Sequence, residues 1–334
     1  MFRRPLLSLL ALVLILPACR PSGDPVASFP REPVTIVVGS APGGGRDTAA
    51  RGIQPYFQKA LGGTVVVENR PGSNSLIAAN YVLSGPPDGH RLFIGSNATI
   101  LNSQLHPESW KSDKSSVDAF IPIYSWMHED GNGIMVAKDS PYASMDDLAA
   151  QAKQRAVTLC IAGGLGSTDH MTALMIRKLY GGNWIIVPMD SGGEAIASVL
   201  GRKCDACSSS PAGVSVDPNR LRMLAVSTSK RPARFPDAPT FAELGKPEAT
   251  LHLVIGAMAP VGTPQGVIDK LEAAFAEARH DPGFLAWAER TDQPIGDDGW
   301  SSKEFGDFLK GAHVSLQGII PEMRAELQKA QQGN

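Results

Sequence analysis

Short apolar runs rich in β-branched residues alternate with stretches of helical composition along most of this chain, and this alternation limits the possible fold more than any other feature. Seven runs have strand character: VTIVVG (34–39), TVVVEN (64–69), RLFIGS (91–96), VTLCIAG (157–163), WIIVPM (184–189), KCDACS (203–208) and LRMLAVS (221–227). Parallel strands joined by helices are buried on both faces, so they read as continuous apolar runs. The pattern predicts an α/β protein with mostly parallel sheets flanked by helices.

The strand-like runs fall into two groups, residues 34–96 and 157–208, and no low-complexity linker separates them. The segment AFIPIYSWMHEDGNGIMVAKDS joins the groups, and LRMLAVSTSKRPARFPDAPTF can lead the chain back. A length of 334 residues allows two domains of usual size. Two joined lobes therefore fit the sequence better than one large sheet.

Cap signals predict where several helices begin. Ser144 precedes a helical stretch with Asp147 in its first turn, Pro264 and the pair Asp281-Pro282 open two further stretches, and Ser301 with Glu304 forms a capping box.

The charge balance gives no reason to expect a nucleic-acid partner. The chain has 31 Lys plus Arg against 33 Asp plus Glu, a formal net charge of −2. A nucleic-acid-binding surface is usually marked by an excess of basic residues.

The first residues, MFRRPLLSLLALVLILPAC, place two arginines before an apolar run too short to remain as a membrane span. They predict a signal peptide over residues 1–18, followed by a tether over 19–29. Leu16-Pro17-Ala18-Cys19 is similar to a bacterial lipobox, which predicts lipidation of Cys19. A retained membrane anchor and ordinary cleavage before Phe29 are the alternatives.

The remaining cysteines are Cys160, Cys204 and Cys207, an odd number that does not make a closed disulfide framework. Cys204 and Cys207 spell C-x-x-C, but a redox pair places its first cysteine at a helix N-terminus. The surrounding LGRKCDACSSS instead indicates a helix end, a turn and a short strand. We expect buried thiols rather than redox chemistry.

Glycine-rich turns follow several of the predicted strands. The first is VTIVVGSAPGGGRDTAAR (34–51) and the second is CIAGGLGSTDH (160–170); weaker examples are residues 191–193 and 72–75. A strand that ends in glycines and leads into a helix gathers unpaired N–H groups and the positive end of the helix dipole, which attracts an anion. Two such turns predict a ligand held from both sides; the alternative is that turn geometry alone requires the glycines. Neither has the phosphate-loop or dinucleotide spacing.

Signals for catalysis are weak. The sequence contains neither G-x-S-x-G nor H-E-x-x-H. Ser167, Asp169 and His170 form the one nucleophile-like cluster, but close neighbours on a helix do not face each other, which makes a poor triad. A neutral, hydrogen-bonded His170 is expected. We predict no catalytic residue, no metal and no cofactor; a secreted hydrolase that uses Ser167 or His170 is the rival.

The segments APGGGRDTAAR, VVVENRPGSNS, PPDGHRLFIGS, GGLGSTDHMTALM, VPMDSGGEAIASVLG and APVGTPQGVIDKL, in this order, resemble the periplasmic solute-binding proteins of tripartite tricarboxylate transporters, the Bug family. The resemblance implies a two-lobed, type II Venus-flytrap fold, with residues 30–125 plus 229–334 in lobe 1 and residues 126–228 in lobe 2. It further implies a periplasmic, monomeric protein. Such a protein closes over a small carboxylate and delivers it to one large and one small integral membrane subunit.

Carried over by position, the resemblance points to ligand-binding residues in both lobes. Those on lobe 1 are Ser40, Ala41, Gly43, Gly44, Arg46, Asp47, Ser73 and Asn74. Those on lobe 2 are Ser167, Thr168, Asp190, Ser191 and Gly192.

Three positions depart from the family pattern. Ser40 replaces a frequent aromatic residue, Asp190 lies where a lysine is common, and Arg46 lies where a small residue is usual. We hypothesise that Asp190 pairs with Arg46 across the closed cleft or receives a cationic group, which would favour a zwitterionic ligand; alternatively, both side chains face solvent. A ligand-presenting sensor remains the alternative to a transporter component.

Overall fold

The structure, a computed structural model, describes residues 26–43, 45–162, 164–211, 216–232, 234–251, 253–291, 293 and 295–332. The predicted signal peptide, Cys19 and most of the tether lie outside these residues, as does Gly44.

Ten strands are described. They are β1 (Val34–Val38), β2 (Val65–Asn69), β3 (Arg91–Ser96), β4 (Phe120–Asp130), β5 (Gly133–Ala137), β6 (Val157–Ile161), β7 (Trp184–Pro188), β8 (Ala206–Ser209), β9 (Leu221–Val226) and β10 (Leu253–Pro260).

Eleven α-helices are described. They are α1 (Gly45–Leu61), α2 (Leu76–Leu83), α3 (Asn97–Leu105), α4 (Ser116–Ala119), α5 (Met145–Gln154), α6 (Thr168–Tyr180), α7 (Gly192–Leu200), α8 (Gln265–His280), α9 (Pro282–Arg290), α10 (Ser302–Gln317) and α11 (Ile320–Gln332).

The strands form two five-stranded sheets with the same topology, β2-β1-β3-β10-β4 and β7-β6-β8-β5-β9. In each sheet four strands run in one direction, and the fourth strand in the order, β10 or β5, runs antiparallel to both neighbours. Each antiparallel strand is the first one after the chain has crossed from the other sheet. We call the first sheet with its helices lobe 1 and the second lobe 2; the predicted two-lobed α/β fold is confirmed.

Both faces of each sheet are covered, as the apolar runs predicted. In β1, Val34, Ile36 and Val38 belong to a core shared with α1, α8 and α9, whereas Val37 points into a core on the opposite face. That second core also contains Met171 and Leu174 of α6, so it joins the two lobes. Lobe 2 has its own cores on either side of its sheet.

The local helix signals are confirmed. Ser144 and Ser301 each form a capping box with the residue three positions later, and Asp281 caps α9 by accepting from the N–H of Gly283. Pro264 directly precedes α8. These caps satisfy N–H groups that the helices themselves leave unpaired.

The expectation of three buried thiols is wrong. Cys160 and Cys204 form a disulfide with Cα atoms 6.1 Å apart, while Cys207 is free and buried. Cys204 lies in the turn before β8 rather than on the strand itself, and β8 pairs with β6, which carries Cys160. Burial raises the pKa of Cys207 to about 12, so C-x-x-C is not a redox pair.

Candidate functional site

The first glycine turn is held by the Asp47 carboxylate. This side chain is buried, and it accepts hydrogen bonds from the N–H of Gly43 (2.8 Å), Arg51 Nε (2.9 Å) and Asn69 Nδ2 (2.8 Å). Asn69 Nδ2 also donates to the carbonyl of Ser40 (3.0 Å). A carboxylate from the first turn of α1 and an amide from the end of β2 thus fix the loop between them.

The pKa of Asp47 is lowered, although burial alone would raise it. The Gly43 N–H, Asn69 and Arg51 all stabilise the charged carboxylate and outweigh the loss of solvent. Asp47 is therefore ionised at neutral pH, and its oxygens are occupied within the loop.

The turn that follows β2 has an unusual backbone. Ser73, Asn74 and Ser75 have φ values of 44°, 49° and 77°, in the left-handed region that non-glycine residues rarely adopt. Ser75 packs so closely on Gly39 that a Cβ added at Gly39 would lie 2.2 Å from the Ser75 Cβ. Asn74 Nδ2 donates to Asn102 Oδ1 of α3 (2.9 Å). Backbone conformations of this kind are concentrated at functional sites, and here the turn lies directly against the start of the first glycine turn.

Arg46 crosses from the first loop to the end of β3. Its Nη2 donates to Ser96 Oγ (3.2 Å), while its Nε is buried and has no hydrogen-bond partner. Ser96 is the N-cap of α3. Burial lowers the pKa of Arg46, but a guanidinium keeps its charge. A positive side chain therefore lies beside the N-terminus of α3, where the helix dipole is also positive.

The second glycine turn is built around Ser167 and His170. Ser167 Oγ donates to the Ala162 carbonyl (2.9 Å) and accepts from the N–H of His170 (3.1 Å). The N–H of Gly166 donates to His170 Nδ1 (3.1 Å), which leaves Nε2 as the donor to Glu326 Oε2 (2.8 Å). Burial lowers the pKa of His170, so the ring is neutral, as expected.

This arrangement contains no nucleophile–base pair. The Ser167 hydroxyl faces a carbonyl, and both ring nitrogens of His170 are occupied. Asp169 is buried and accepts from Ser208 Oγ at 2.7 Å. The Ser167, Asp169 and His170 side chains thus have structural partners and do not form a triad.

The third turn leads from β7 into α7. Ser191 is the N-cap and accepts from the N–H of Glu194, whose carboxylate accepts from the N–H of Asp190. Gly192 lies against Ser209, since a Cβ there would be 2.6 Å from the Ser209 Oγ. Asp190 is exposed and forms no ion pair with Arg46 in the part of the chain that the structure describes.

Helix α3 connects the two sets of loops. Asn102 contacts Asn74 of lobe 1, and Leu105, three residues later, would be 3.6 Å from a Cβ at Gly166 of lobe 2. Three residues rise about 4.5 Å along a helix. The strained turn of lobe 1 and the glycine turn of lobe 2 therefore lie close together, at the carboxyl ends of β2 and β6.

Most of the predicted site residues lie in these loops. Ala41 and Gly43 are exposed in the first turn, and Thr168 begins α6. Three residues that build the site were not predicted: Asn69, Ser96 and Asn102. The first two end runs that the sequence marks as strands, so their position is a signal that was available.

One other cluster has metal-binding side chains. Glu32, Asp88 and His90 place ligand atoms within 4.8 Å of one another. His90 Nε2, however, accepts from the N–H of Arg31 (3.1 Å), so the lone pair of that nitrogen is not available to a metal ion. The cluster precedes β3 and lies at the opposite edge of the sheet from the loops.

Comparison with known proteins agrees with this fold. The family model of the tripartite tricarboxylate transporter family receptor, TctC, matches residues 49–295. The protein BugT of Bordetella pertussis is 30% identical over 296 residues, which cover 86% of this chain and 89% of BugT. None of the described helices has both the length and the apolar composition needed to cross a bilayer.

Solved structures show the same fold. A TctC solute-binding protein from Polaromonas, determined without ligand, is 25% identical with a TM-score of 0.77, and the match covers 88% of this chain and 99% of that one. MatC from Rhodopseudomonas palustris, determined with bound malate, is 23% identical with a TM-score of 0.68, covering 87% and 100%. The family resemblance seen in the sequence is confirmed, and the chain belongs to the tripartite tricarboxylate transporter receptor family, whose members are periplasmic solute-binding receptors rather than enzymes.

Proposed function

We propose that this chain is an extracytoplasmic receptor that captures a small carboxylate between its lobes and delivers it to the large and small membrane subunits of a tripartite transporter. Lobe 1 would comprise residues 30–125 and 229–334, with the first boundary inside β4, and lobe 2 would comprise residues 126–228. Cys19 would carry a lipid that holds the receptor at a membrane.

The observation that carries this proposal is the set of hydrogen-bond donors left over at the helix starts of both lobes. The N–H groups of Thr168, Gly192 and Gly193 have no partner among the described residues. The first-turn amides of α1 have no acceptor within their own helix. Ser40 Oγ is also buried without a partner. Donors of this kind bind a carboxylate without a fixed counter-charge.

The proposed site residues are the positions that the family resemblance indicates. They are Ser40, Ala41, Gly43, Gly44, Arg46, Asp47, Ser73, Asn74, Ser167, Thr168, Asp190, Ser191 and Gly192, of which Gly44 lies outside the described residues. The Asp47 carboxylate, the Ser167 hydroxyl and the N–H groups of Gly43 and Asp190 would act indirectly, because they are already hydrogen-bonded in shaping their turns.

Arg46 adds a charge to these contacts. Its guanidinium has one hydrogen bond, to a neutral hydroxyl, and no carboxylate within ion-pair distance among the described residues. A largely desolvated cation without a counter-charge is costly. A second anionic group on the ligand would supply that counter-charge, so we favour a dianionic ligand over a zwitterion. MatC, which shares the fold, was determined with a dicarboxylate.

Closure would follow from binding. An anion that contacts donors on both lobes binds the closed state more tightly than the open state. It stabilises the closed state by the difference between these two binding free energies. Catalysis is not required at any step.

Isothermal titration calorimetry tests the proposal with dicarboxylates of four to six carbons, their mono-amides and the corresponding amino acids. We expect the wild type to bind a diacid, and Arg46→Gln to weaken that binding about 10- to 100-fold while changing mono-amide binding less than threefold. Arg46→Lys should retain part of the preference.

A matched pair of cap variants separates site from scaffold. Ser167→Ala and Ser144→Ala each remove an N-cap worth about 1 kcal/mol. Ser144 lies at the opposite edge of the lobe 2 sheet, since β5 runs antiparallel to β6. Only Ser167→Ala should weaken binding of the acid. Binding of no acid, or acid consumption that Ser167→Ala abolishes, would contradict the proposed function.

A further inference from the structure

A cavity of about 330 Å³ lies between the lobes. None of the predicted ligand-binding residues lines it, although Asn97, next to Ser96, and Met171, next to His170, do. Its walls come from α6 of lobe 2, through Met171 and Met175, and from α10 of lobe 1, through Phe308 and Leu316. A third wall is the segment that carries the chain back to lobe 1, including Leu251. The cavity therefore exists only while the two lobes keep this arrangement.

The third wall belongs to the hinge. The N–H of Leu251 donates to the Ser227 carbonyl, and Ser227 Oγ donates back to the Leu251 carbonyl. The N–H of Asn132, in the other crossing segment, donates to Ser227 Oγ at 2.7 Å. Leu251 is thus bonded to the segments about which the lobes would turn, and it also contacts whatever fills the cavity.

The lining is mostly apolar, with one unpaired polar atom. Thr250 Oγ1 is buried and has no hydrogen-bond partner among the described residues. A buried hydroxyl without a partner costs about 1 to 3 kcal/mol, which a ligand atom placed against it would recover. The two methionines have flexible side chains that adapt to a guest.

The charges near the cavity exclude the acid proposed for the main site. Among the described lining residues none is Lys, Arg or His, and the one ionisable group is Glu248 at the exposed rim. A carboxylate would therefore be desolvated without a counter-charge. An engineered apolar cavity of about 150 Å³ binds benzene, so about 330 Å³ provides room for roughly two fused rings.

We propose that this hinge cavity is a second binding site, for a small uncharged apolar molecule with one hydrogen-bonding group directed at Thr250. Because the guest contacts both lobes and the hinge, it stabilises their present arrangement and so acts on closure without contacting the predicted ligand-binding residues. Binding at this site does not depend on the proposed carboxylate function.

The full chain with ¹³C-methyl methionine gives a direct test by NMR. 2-Naphthol should shift the Met171 and Met175 resonances among the ten methionines, and naphthalene should do so as well. Thr250→Val should weaken the binding of 2-naphthol about fivefold, which is the contribution of one hydrogen bond, and should change the affinity for naphthalene less than twofold. Ala312→Leu, which fills the cavity, should weaken the binding of both compounds at least tenfold.

Ala150→Leu on the exposed face of α5 is the matched control and should change neither affinity. Small-angle X-ray scattering of the acid-free chain should show a smaller radius of gyration with 2-naphthol than without it. Shifts elsewhere, or binding that survives Ala312→Leu, would overturn the site. Binding with unchanged scattering would overturn its coupling to closure.

Discussion

Replacing Asp47 by Asn tests whether the buried hydrogen bonds of the first turn, rather than its surface ion pair, determine its shape. Asp47 is 2% exposed and holds Gly43, Asn69 and Arg51, whereas the Arg51 side chain is 51% exposed. In Asp47→Asn one oxygen becomes an NH₂ group that faces other donors, so at least one bond is lost and the rest lose their charge.

A hydrogen bond to a charged group contributes about 1.5 to 3 kcal/mol, and an exposed ion pair about 0 to 1 kcal/mol. We therefore expect Asp47→Asn to lower the free energy of unfolding by about 3 kcal/mol and Arg51→Gln by less than about 1 kcal/mol. Asp47→Asn should also weaken binding of the proposed acid, because the turn at Gly43 would no longer be fixed.

Urea unfolding followed by tryptophan fluorescence measures this difference, since Trp126 lies in β4 of the first sheet, which also contains the strands on either side of the Asp47 turn. The folded-state pKa of Asp47 is depressed, so its contribution is present above the unfolded pKa of about 3.9 and is lost as pH falls through the folded pKa. The gap between wild type and Asp47→Asn should thus be constant from pH 5 to 8 and shrink below pH 4. Equal losses in Asp47→Asn and Arg51→Gln would refute the reasoning.

Two further predictions concern lobe 2. The Cys160–Cys204 disulfide joins residues 44 positions apart, so the double variant Cys160→Ala, Cys204→Ala should lower the free energy of unfolding by about 4 kcal/mol in the chain-entropy estimate. Urea unfolding measures this loss, and the control Cys207→Ala should lose only about 1 kcal/mol. His170 has a folded pKa below its usual 6.5 because burial outweighs the Glu326 carboxylate, so stability is complete above pH 6.5 and is lost as pH falls towards the folded pKa. As the pH is lowered from 8 to 5, the melting temperature should therefore fall more steeply for wild type than for His170→Gln. Parallel plots of melting temperature against pH would contradict a neutral native His170.

Much of the fold could be predicted because its signals are local. All seven predicted strands are present, since a run such as VTIVVG carries its own evidence of burial on both faces. The caps at Ser144 and Ser301 need only four residues to be recognised. The family segments then indicated a two-lobed receptor.

The strands that were not predicted depend on distant partners. β4 and β5 lie in the segment taken as a connection, and β10 follows the return crossing. β5 pairs with β8 and β9, about 70 to 90 residues later, so its role is set by pairing that no local pattern shows. The disulfide was missed for the same reason, because the β6–β8 pairing that brings Cys160 towards Cys204 is not visible in the spacing of the cysteines.

In the candidate site, the residue types were predictable from the sequence. Which of them shape the turns and which are left for a ligand was not. Asp47, Ser167 and Glu194 each direct an oxygen at a backbone amide of a turn or of the first turn of the following helix: they accept from Gly43, His170 and Asp190. An oxygen spent in this way shapes the turn and is not available to a ligand.

Among the described residues, the amides of Thr168, Gly192 and Gly193 in lobe 2 are left without a partner. A negative side chain placed against them would compete with the proposed ligand. In the proposed anion site the acidic residues would therefore have a structural role: Asp47 and Glu194 occupy some of the N–H donors and leave the others for the anion. Arg46 is the exception, because no carboxylate of the described residues supplies a counter-charge to it. The lobe that holds it would therefore attract the anion first, and the neutral donors of lobe 2, whose field falls off within one helical turn, would act only once the lobes had come together.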